Sequence, residues 1–149
     1  MQIINTTDLN QARKEIQALK KQNKEIVIQA QDDKFNRKIL ENSDVDILLS
    51  PELHNRKEKL KQRDSGLNEF LCKLAKKNNI KIGINIKEIQ KLEKKEKSKI
   101  LARIIQNIKL CNRTKTQIIL FPKTKHKKQN ILSFFLTLKG STEQAKHAF

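Results

Sequence analysis

Short apolar runs of the β type alternate with longer segments of helical periodicity along most of the chain. Runs enriched in isoleucine, leucine and valine predict five strands, at residues 2–5, 25–29, 45–49, 80–86 and 117–121. Apolar positions spaced three or four residues apart predict helices at 9–22, 32–40, about 67–75 and 91–112. Residues 131–138 are apolar on every side and fit a helix or a strand, although the alternation favours a helix. This order is typical of parallel strands joined by crossover helices.

The number of units limits the fold. Five strand–helix units on 149 residues are too few for a closed eight-stranded barrel, which needs about 250 residues. We therefore predict an α/β fold with about five parallel strands, as a partial TIM-barrel-like (βα) repeat or an open sheet. The chain has only two prolines and three glycines and shows neither a linker nor a fixed repeat, so one domain is predicted over residues 1–149.

The segment after the third predicted strand combines a closing proline, a basic loop and a helix. Pro51 cannot donate to a strand ladder and so ends the strand. The loop at 52–64 is rich in lysine and arginine, and Asp64 stands where a helix cap belongs. The helix that follows is predicted to bury one face, which consists of Leu67, Phe70, Leu71, Leu74 and Ala75.

Net charge is distributed unevenly along the chain. The total is +17, but residues 1–52 carry 8 basic and 9 acidic side chains, whereas residues 53–149 carry 25 basic and 7 acidic ones. An AT-rich coding bias would also give the observed excess of lysine, 27 against 6 arginines, and this alternative remains open. Such a bias acts on the whole chain, so the charge step near residue 52 favours a binding surface for a polyanion, with nucleic acid as the first candidate.

Several function classes lack their usual sequence features. The three scattered glycines cannot form a phosphate-binding loop, and His54, His126 and His147 lie too far apart for a metal motif. Cys72 and Cys111 are 39 residues apart without zinc-ligand spacing, which predicts buried packing thiols. Without Trp or Tyr, and with Phe mostly in core positions, no base-stacking platform is predicted.

The location of the protein is predicted from two further features. The apolar runs are far shorter than the roughly 18 to 20 residues of a membrane span. Residues 1–20 contain no apolar signal core, so we expect no secretory leader and a cytoplasmic location.

Several runs of residues, in order, resemble archaeal ribonuclease P protein component 3. The resemblance extends from about residue 25 to the C-terminus. Departures are Glu69 where His is usual, Gln129-Asn130 where Arg-Asp is usual, and an N-terminal portion that is shorter by a strand–helix unit or more. The runs that carry the resemblance are 45–51 (Val-Asp-Ile-Leu-Leu-Ser-Pro), 63–68 (Arg-Asp-Ser-Gly-Leu-Asn), 71–78, 100–103, 106–111, 131–134 and 145–146.

The resemblance implies a fold related to the TIM barrel and a role as an RNA-binding subunit of ribonuclease P. In that enzyme the RNA removes the 5′ leader of precursor tRNA, so no catalytic side chain is expected in this chain. No metal site and no cofactor are expected in it either, because magnesium would be held by the RNA. The implied partners are ribonuclease P RNA, protein component 2 and, indirectly, precursor tRNA. Two alternatives are a general RNA- or ribosome-binding module and a barrel-type metal phosphoesterase, which the histidine pattern argues against.

Candidate site residues follow from the charge pattern and the resemblance together. Asp64, Ser65, Gly66 and Asn68 are expected to open the helix of the 63–68 motif. The side chains predicted to contact RNA or an acidic partner are Arg56, Lys57, Arg63, Lys73, Lys76, Lys77, Arg103, Lys109, Lys123, Lys125, Lys127 and Lys128.

Overall fold

Five parallel strands form one sheet in chain order. The computed structural model describes residues 2–58, 60, 63–122 and 127–148. The sheet order is β1-β2-β3-β4-β5, and every neighbouring pair is parallel. The predicted fold class is therefore confirmed. The strands are β1 (Ile3–Ile4), β2 (Val27–Gln29), β3 (Ile47–Leu49), β4 (Lys81–Asn85) and β5 (Ile118–Phe121).

Helices connect the strands and cover the outer side of the sheet. The predicted helices all form, and the ambiguous segment at 131–138 lies almost entirely in one. Two short helices were not predicted, one directly after β4 and one near the C-terminus. The helices are α1 (Leu9–Lys21), α2 (Asp33–Leu40), α3 (Glu69–Lys77), α4 (Ile86–Gln90), α5 (Lys94–Thr114), α6 (Lys128–Thr137) and α7 (Thr142–Lys146), with a 3-10 turn at Pro51–Leu53.

Side-chain caps determine where several helices begin. The carboxylates of Asp8 and Asp32 accept hydrogen bonds from backbone amides in the first turns of α1 and α2. Asn68 does the same for α3, because its Oδ1 accepts from the amide of Leu71 at 2.9 Å. The prediction that Asp64 caps this helix is therefore wrong. Asp64 precedes the helix by one turn of irregular chain, and its Oδ1 accepts from the amide of Gly66 at 3.2 Å.

The sheet buries apolar side chains on both faces. The outer face packs against the helices in one large cluster, to which β4 contributes Ile82 and Ile84. The inner face forms a second, smaller cluster of Val27, Ile47, Leu49, Ile119 and Phe121. These side chains are at most 7% exposed. Burial on both faces of a parallel sheet agrees with the predicted TIM-barrel-like fold.

Gly83 makes the inner cluster possible. It lies on β4 between Ile82 and Ile84, and so on the inner face. A Cβ atom built there would come within 2.9 Å of Leu49 Cδ1 and 3.0 Å of Ile47 Cγ2. The glycine leaves the space that these two side chains fill.

The C-terminal segment covers one edge of the sheet. The amide of Leu120 in β5 donates to the carbonyl of Ala148, and the side chain of Gln117 donates to the carbonyl of His147. A capping box between Ser141 and Gln144 fixes the start of α7, which leads into this segment. The Ser-x-x-Gln pattern is the sequence signal that would have predicted α7. Within the described residues, no helix is both long and apolar enough to cross a bilayer.

The two cysteines are buried, as predicted, and they face each other. Their Sγ atoms, on α3 and α5, lie 3.9 Å apart. The hydrogen bond between them lowers the pKa of Cys72 and raises that of Cys111. No local pattern in the sequence indicated this pairing.

Candidate nucleic-acid interface

The carboxyl edge of the sheet gathers the basic loops. Because all strands are parallel, the segments that follow β3, β4 and β5 all start at this edge. The loops after β3 and β5 therefore both begin at the same end of the sheet. Lys123 and Lys125 lie outside the described residues. The edge therefore consists of the 50–68 loop, α4, the start of α5 and the start of α6.

Arg103 holds the 50–68 loop against α5. The Arg103 side chain is 3% exposed. Its guanidinium donates to the carbonyls of Glu52 at 3.0 Å and Arg56 at 3.2 Å, and its Nε lies 3.1 Å from Glu58 Oε1. Arginine suits this position because its planar group presents several donors in a fixed arrangement. Arg103 was predicted to contact RNA, but its charge is enclosed by the loop.

Arg56 is also used within the chain. Its side chain is 6% exposed, and Nη1 contacts Asp33 Oδ1 at 2.6 Å and Asp64 Oδ1 at 3.4 Å. Nη2 donates to the carbonyl of Gln31 at 3.0 Å. Arg56 thus joins the loop to the start of α2, and little of its charge faces solvent.

The second half of the loop is fixed by a glycine and an asparagine. Gly66 has φ +86°, and a Cβ there would lie 2.3 Å from the carbonyl oxygen of Pro51, so a larger residue does not fit. Asn107 on α5 donates from Nδ2 to the carbonyl of Ser65 at 3.2 Å. The residues predicted to open α3 therefore do so in two ways: Asn68 caps the helix, whereas Asp64, Ser65 and Gly66 shape the turn before it.

A buried carboxylate lies beneath the loop. Glu52 is 1% exposed, and neither of its carboxylate oxygens has a hydrogen-bond partner among the described residues. Burial raises the pKa of Glu52 to about 7, and the positive charge of Arg103 opposes this only in part. Buried atoms of His54, Arg56 and Asn107 in the described part of the chain are also without partners.

A cleft beside the loop has mixed charge. It encloses about 360 Å³ between the loop, α3 and α5. Its lining includes Arg63 but also the carboxylates of Asp33, Asp64 and Glu69. Arg56 pairs with Asp33 and Asp64, and Lys73 pairs with Glu69, so these charges are balanced within the chain and the cleft does not single out a phosphate group. Described residues contain no cluster of three metal-ligating side chains.

Exposed cations surround this edge. Of the predicted contacts, Lys57, Arg63, Lys127 and Lys128 are exposed here. Arg103 contacts the loop at the carboxyl edge of the sheet. The residues of α5 that precede Arg103 therefore lie at this edge or extend past it. These residues and α4 add exposed or half-buried cations that were not among the predicted site residues, namely Lys87, Lys91, Lys94, Lys95, Lys97 and Lys99.

The remaining predicted residues lie towards the opposite end of the sheet. Lys76 and Lys77 occupy the last turn of α3, which leads into the start of β4, and Lys109 is in the second half of α5. Lys73 lies between the two ends and pairs with Glu69 at 2.7 Å. All four side chains are exposed. The structure thus separates the predicted residues into a carboxyl-edge group, a group on α3 and α5, and two buried arginines.

Known proteins similar to this chain share one name. A scan against protein-family models finds no match. The chain is 31% identical over 117 residues to ribonuclease P protein component 3 of Methanococcus maripaludis strain C6, covering 78% of this chain and 47% of that protein. It is 27% identical over 126 residues to the protein of that name from Methanocaldococcus jannaschii, covering 85% and 51%.

A solved structure agrees with the sequence matches. A protein chain in the cryo-EM structure of archaeal ribonuclease P with mature tRNA superimposes with a TM-score of 0.76 at 25% identity, covering 97% of this chain and 62% of that one. The chain is thus similar in sequence and in fold to ribonuclease P protein component 3. It spans about half the length of the curated relatives that it matches.

The family-like runs meet at the carboxyl edge. The run at 63–68 supplies Ser65 and Gly66, and the runs at 100–111 supply Arg103 and Asn107, which hold the loop in place. The run at 45–51 ends with Ser50 and Pro51, where the loop begins. The residues that carry the family resemblance therefore build one local structure, the base on which the exposed cations of this edge are presented.

Proposed function

We propose that this chain is an RNA-binding protein subunit of ribonuclease P and supports the RNA-catalysed removal of the 5′ leader from precursor tRNA. The observation that carries the proposal is the match in sequence and fold to component 3 proteins and to a chain of an archaeal ribonuclease P complex. In this proposal the RNA holds the magnesium ions and performs the reaction, and the protein works in the cytoplasm together with component 2.

The carboxyl edge is the proposed RNA-binding surface. Its side chains are exposed cations on a loop and on helix starts, which suits contacts to phosphates rather than to base edges. Arg103 and Arg56 are excluded from direct contact in this proposal because their charges are used inside the chain. They keep the loop in position, so that Lys57 and Arg63 are presented on a fixed backbone.

Reconstitution tests the proposed role. Precursor tRNA cleavage is measured with ribonuclease P RNA and component 2, with and without this chain, at limiting magnesium. We expect the chain to raise the cleavage rate, because added cations reduce the repulsion between RNA segments that magnesium otherwise screens. Unchanged cleavage would leave the general RNA- or ribosome-binding module as the better account.

Salt dependence tests the surface. Changing Lys57, Lys94 and Lys95 together to Gln should make the slope of log affinity against log salt shallower by roughly 2 units if all three contact phosphates. The matched control changes three exposed lysines on and after α1, namely Lys14, Lys21 and Lys24. Both variants lose the same charge. Equal changes in the two slopes would show a net-charge effect and no localised surface.

A further inference from the structure

Phe70 is an exposed aromatic residue on the first turn of α3. It was predicted to lie in the core, but 55% of its surface is exposed, whereas its neighbour Leu71 is 3% exposed. The prediction was wrong because α3 buries only Leu71, Cys72 and Ala75. Phe35, Phe121 and Phe135, by contrast, are at most 7% exposed. Phe70 thus presents an exposed aromatic ring at a position that was predicted to be buried.

Arg37 of α2 covers part of the Phe70 ring. Its guanidinium carbon lies 5.2 Å from the ring centroid, within the range of a cation–π contact. Arg37 Nε also donates to Glu41 Oε1 at 3.2 Å, which limits the movement of the guanidinium. The ring is therefore held by a cation, while more than half of the side chain remains open to solvent.

Lysines surround this pair. Helices α2 and α3 are in contact, and near their ends Asn78 Nδ2 donates to the carbonyl of Leu40 at 2.6 Å. Lys73 and Lys77 follow Phe70 by about one and two helical turns and so share its face, and Lys34 lies one turn before Arg37. Lys34 and Lys77 are exposed and form no ion pair with any described residue. Cations on both helices thus flank the exposed ring.

We propose that Phe70 and Arg37 form a stacking site for one unpaired nucleobase of an RNA, with Lys34 and Lys77 placed to contact the adjacent phosphates. Every base has a π face, so a ring of this kind binds bases without reading their sequence, and the flanking cations match the backbone of a single strand. The inference rests on the proposed RNA-binding function and adds to it the class of RNA bound here, which is unpaired rather than helical.

The test uses the full chain and a single-stranded RNA of ten nucleotides that carries 2-aminopurine at one position. The protein has no Trp or Tyr, so changes in emission near 370 nm report the labelled base alone. Phe70→Ala should weaken binding by about 5- to 150-fold and remove the stacking-induced change in emission. Phe70→Trp should keep the affinity, which for this variant is measured by a filter-binding assay because the introduced indole also emits near 370 nm. The salt slope should stay the same in both variants, because no charge is lost.

Leu136→Ala is the matched control, since Leu136 is 51% exposed on α6 and has no comparable role. It should bind the RNA like the unchanged protein. The inference is overturned if Phe70→Ala binds the decamer as tightly as the unchanged chain, or if the unchanged chain binds ribonuclease P RNA but not the decamer. It is also overturned if Phe70→Ala impairs only association with component 2, which would make this a protein-docking surface. Failure of the chain to bind any RNA would instead remove the proposed function itself.

Discussion

The buried carboxylate of Glu52 makes a prediction about stability and pH. Burial raises the pKa of Glu52 to about 7 in the folded chain, against 4.5 for the ordinary value of the group. The folded state therefore binds a proton more tightly than the unfolded state does. The contribution of Glu52 to stability is greatest below about pH 4.5 and is lost as pH rises through 7, because the charged form must then be buried.

The magnitude follows from the two pKa values. A pKa that differs by 1 between the folded and unfolded states corresponds to about 1.4 kcal/mol. At pH 8 the buried charge of Glu52 costs about 3 kcal/mol of folding free energy, and at pH 5.5 about 1 kcal/mol. Glu52→Gln removes the charge at nearly constant shape. We expect the variant to gain about 2 kcal/mol more stability at pH 8 than at pH 5.5, relative to the unchanged chain.

Urea unfolding followed by far-ultraviolet circular dichroism measures this difference at both pH values. The control is Glu88→Gln, which removes a carboxylate whose side chain is 48% exposed and pairs with Lys91 on α4. It should change stability by less than about 1 kcal/mol, and equally at both pH values. If the Glu52→Gln and unchanged chains differ by the same amount at pH 5.5 and pH 8, then Glu52 is not a buried proton-binding group and the reasoning is wrong.

Three further predictions concern the loop and the helix that follows it. Asn68→Ala should destabilise the chain by about 0.5 to 2 kcal/mol in urea unfolding, because the α3 cap is lost, and Asn68→Asp should restore most of that stability; equal losses in both variants would contradict the cap. Gly66→Ala should lower the free energy of unfolding by about 1 to 3 kcal/mol or more, because Gly66 has a positive φ and a Cβ there would clash with the carbonyl of Pro51. A thermal unfolding midpoint within about 1 °C of that of the unchanged chain would contradict this. Arg103→Lys should increase protease cleavage within the 50–68 loop, because one ammonium group cannot replace a guanidinium that contacts several carbonyls. An unchanged cleavage rate would show that the planar arrangement of the guanidinium donors is not needed to hold the loop.

The sequence alone determined the order and type of most elements. The spacing of isoleucine and leucine fixes which faces of the segments are apolar, and parallel strands with crossover helices satisfy that pattern. The caps Asp8 and Asp32 are also local features, because a cap depends on residues two or three positions away. The resemblance to component 3 is visible in the sequence for the same reason, since the runs that carry it are short and contiguous.

Only the tertiary structure decided which basic side chains are exposed and can contact a binding partner. Arg56 and Arg103 look like Lys57 and Arg63 in the sequence, but carbonyls and carboxylates that are distant in the chain enclose the first two. Phe70 was assigned to the same buried helix face as Leu71, yet Arg37 covers only part of its ring and 55% of its surface is exposed. Exposure depends on what lies across from a side chain, and that is set by contacts between residues far apart in the chain, which a local pattern does not contain.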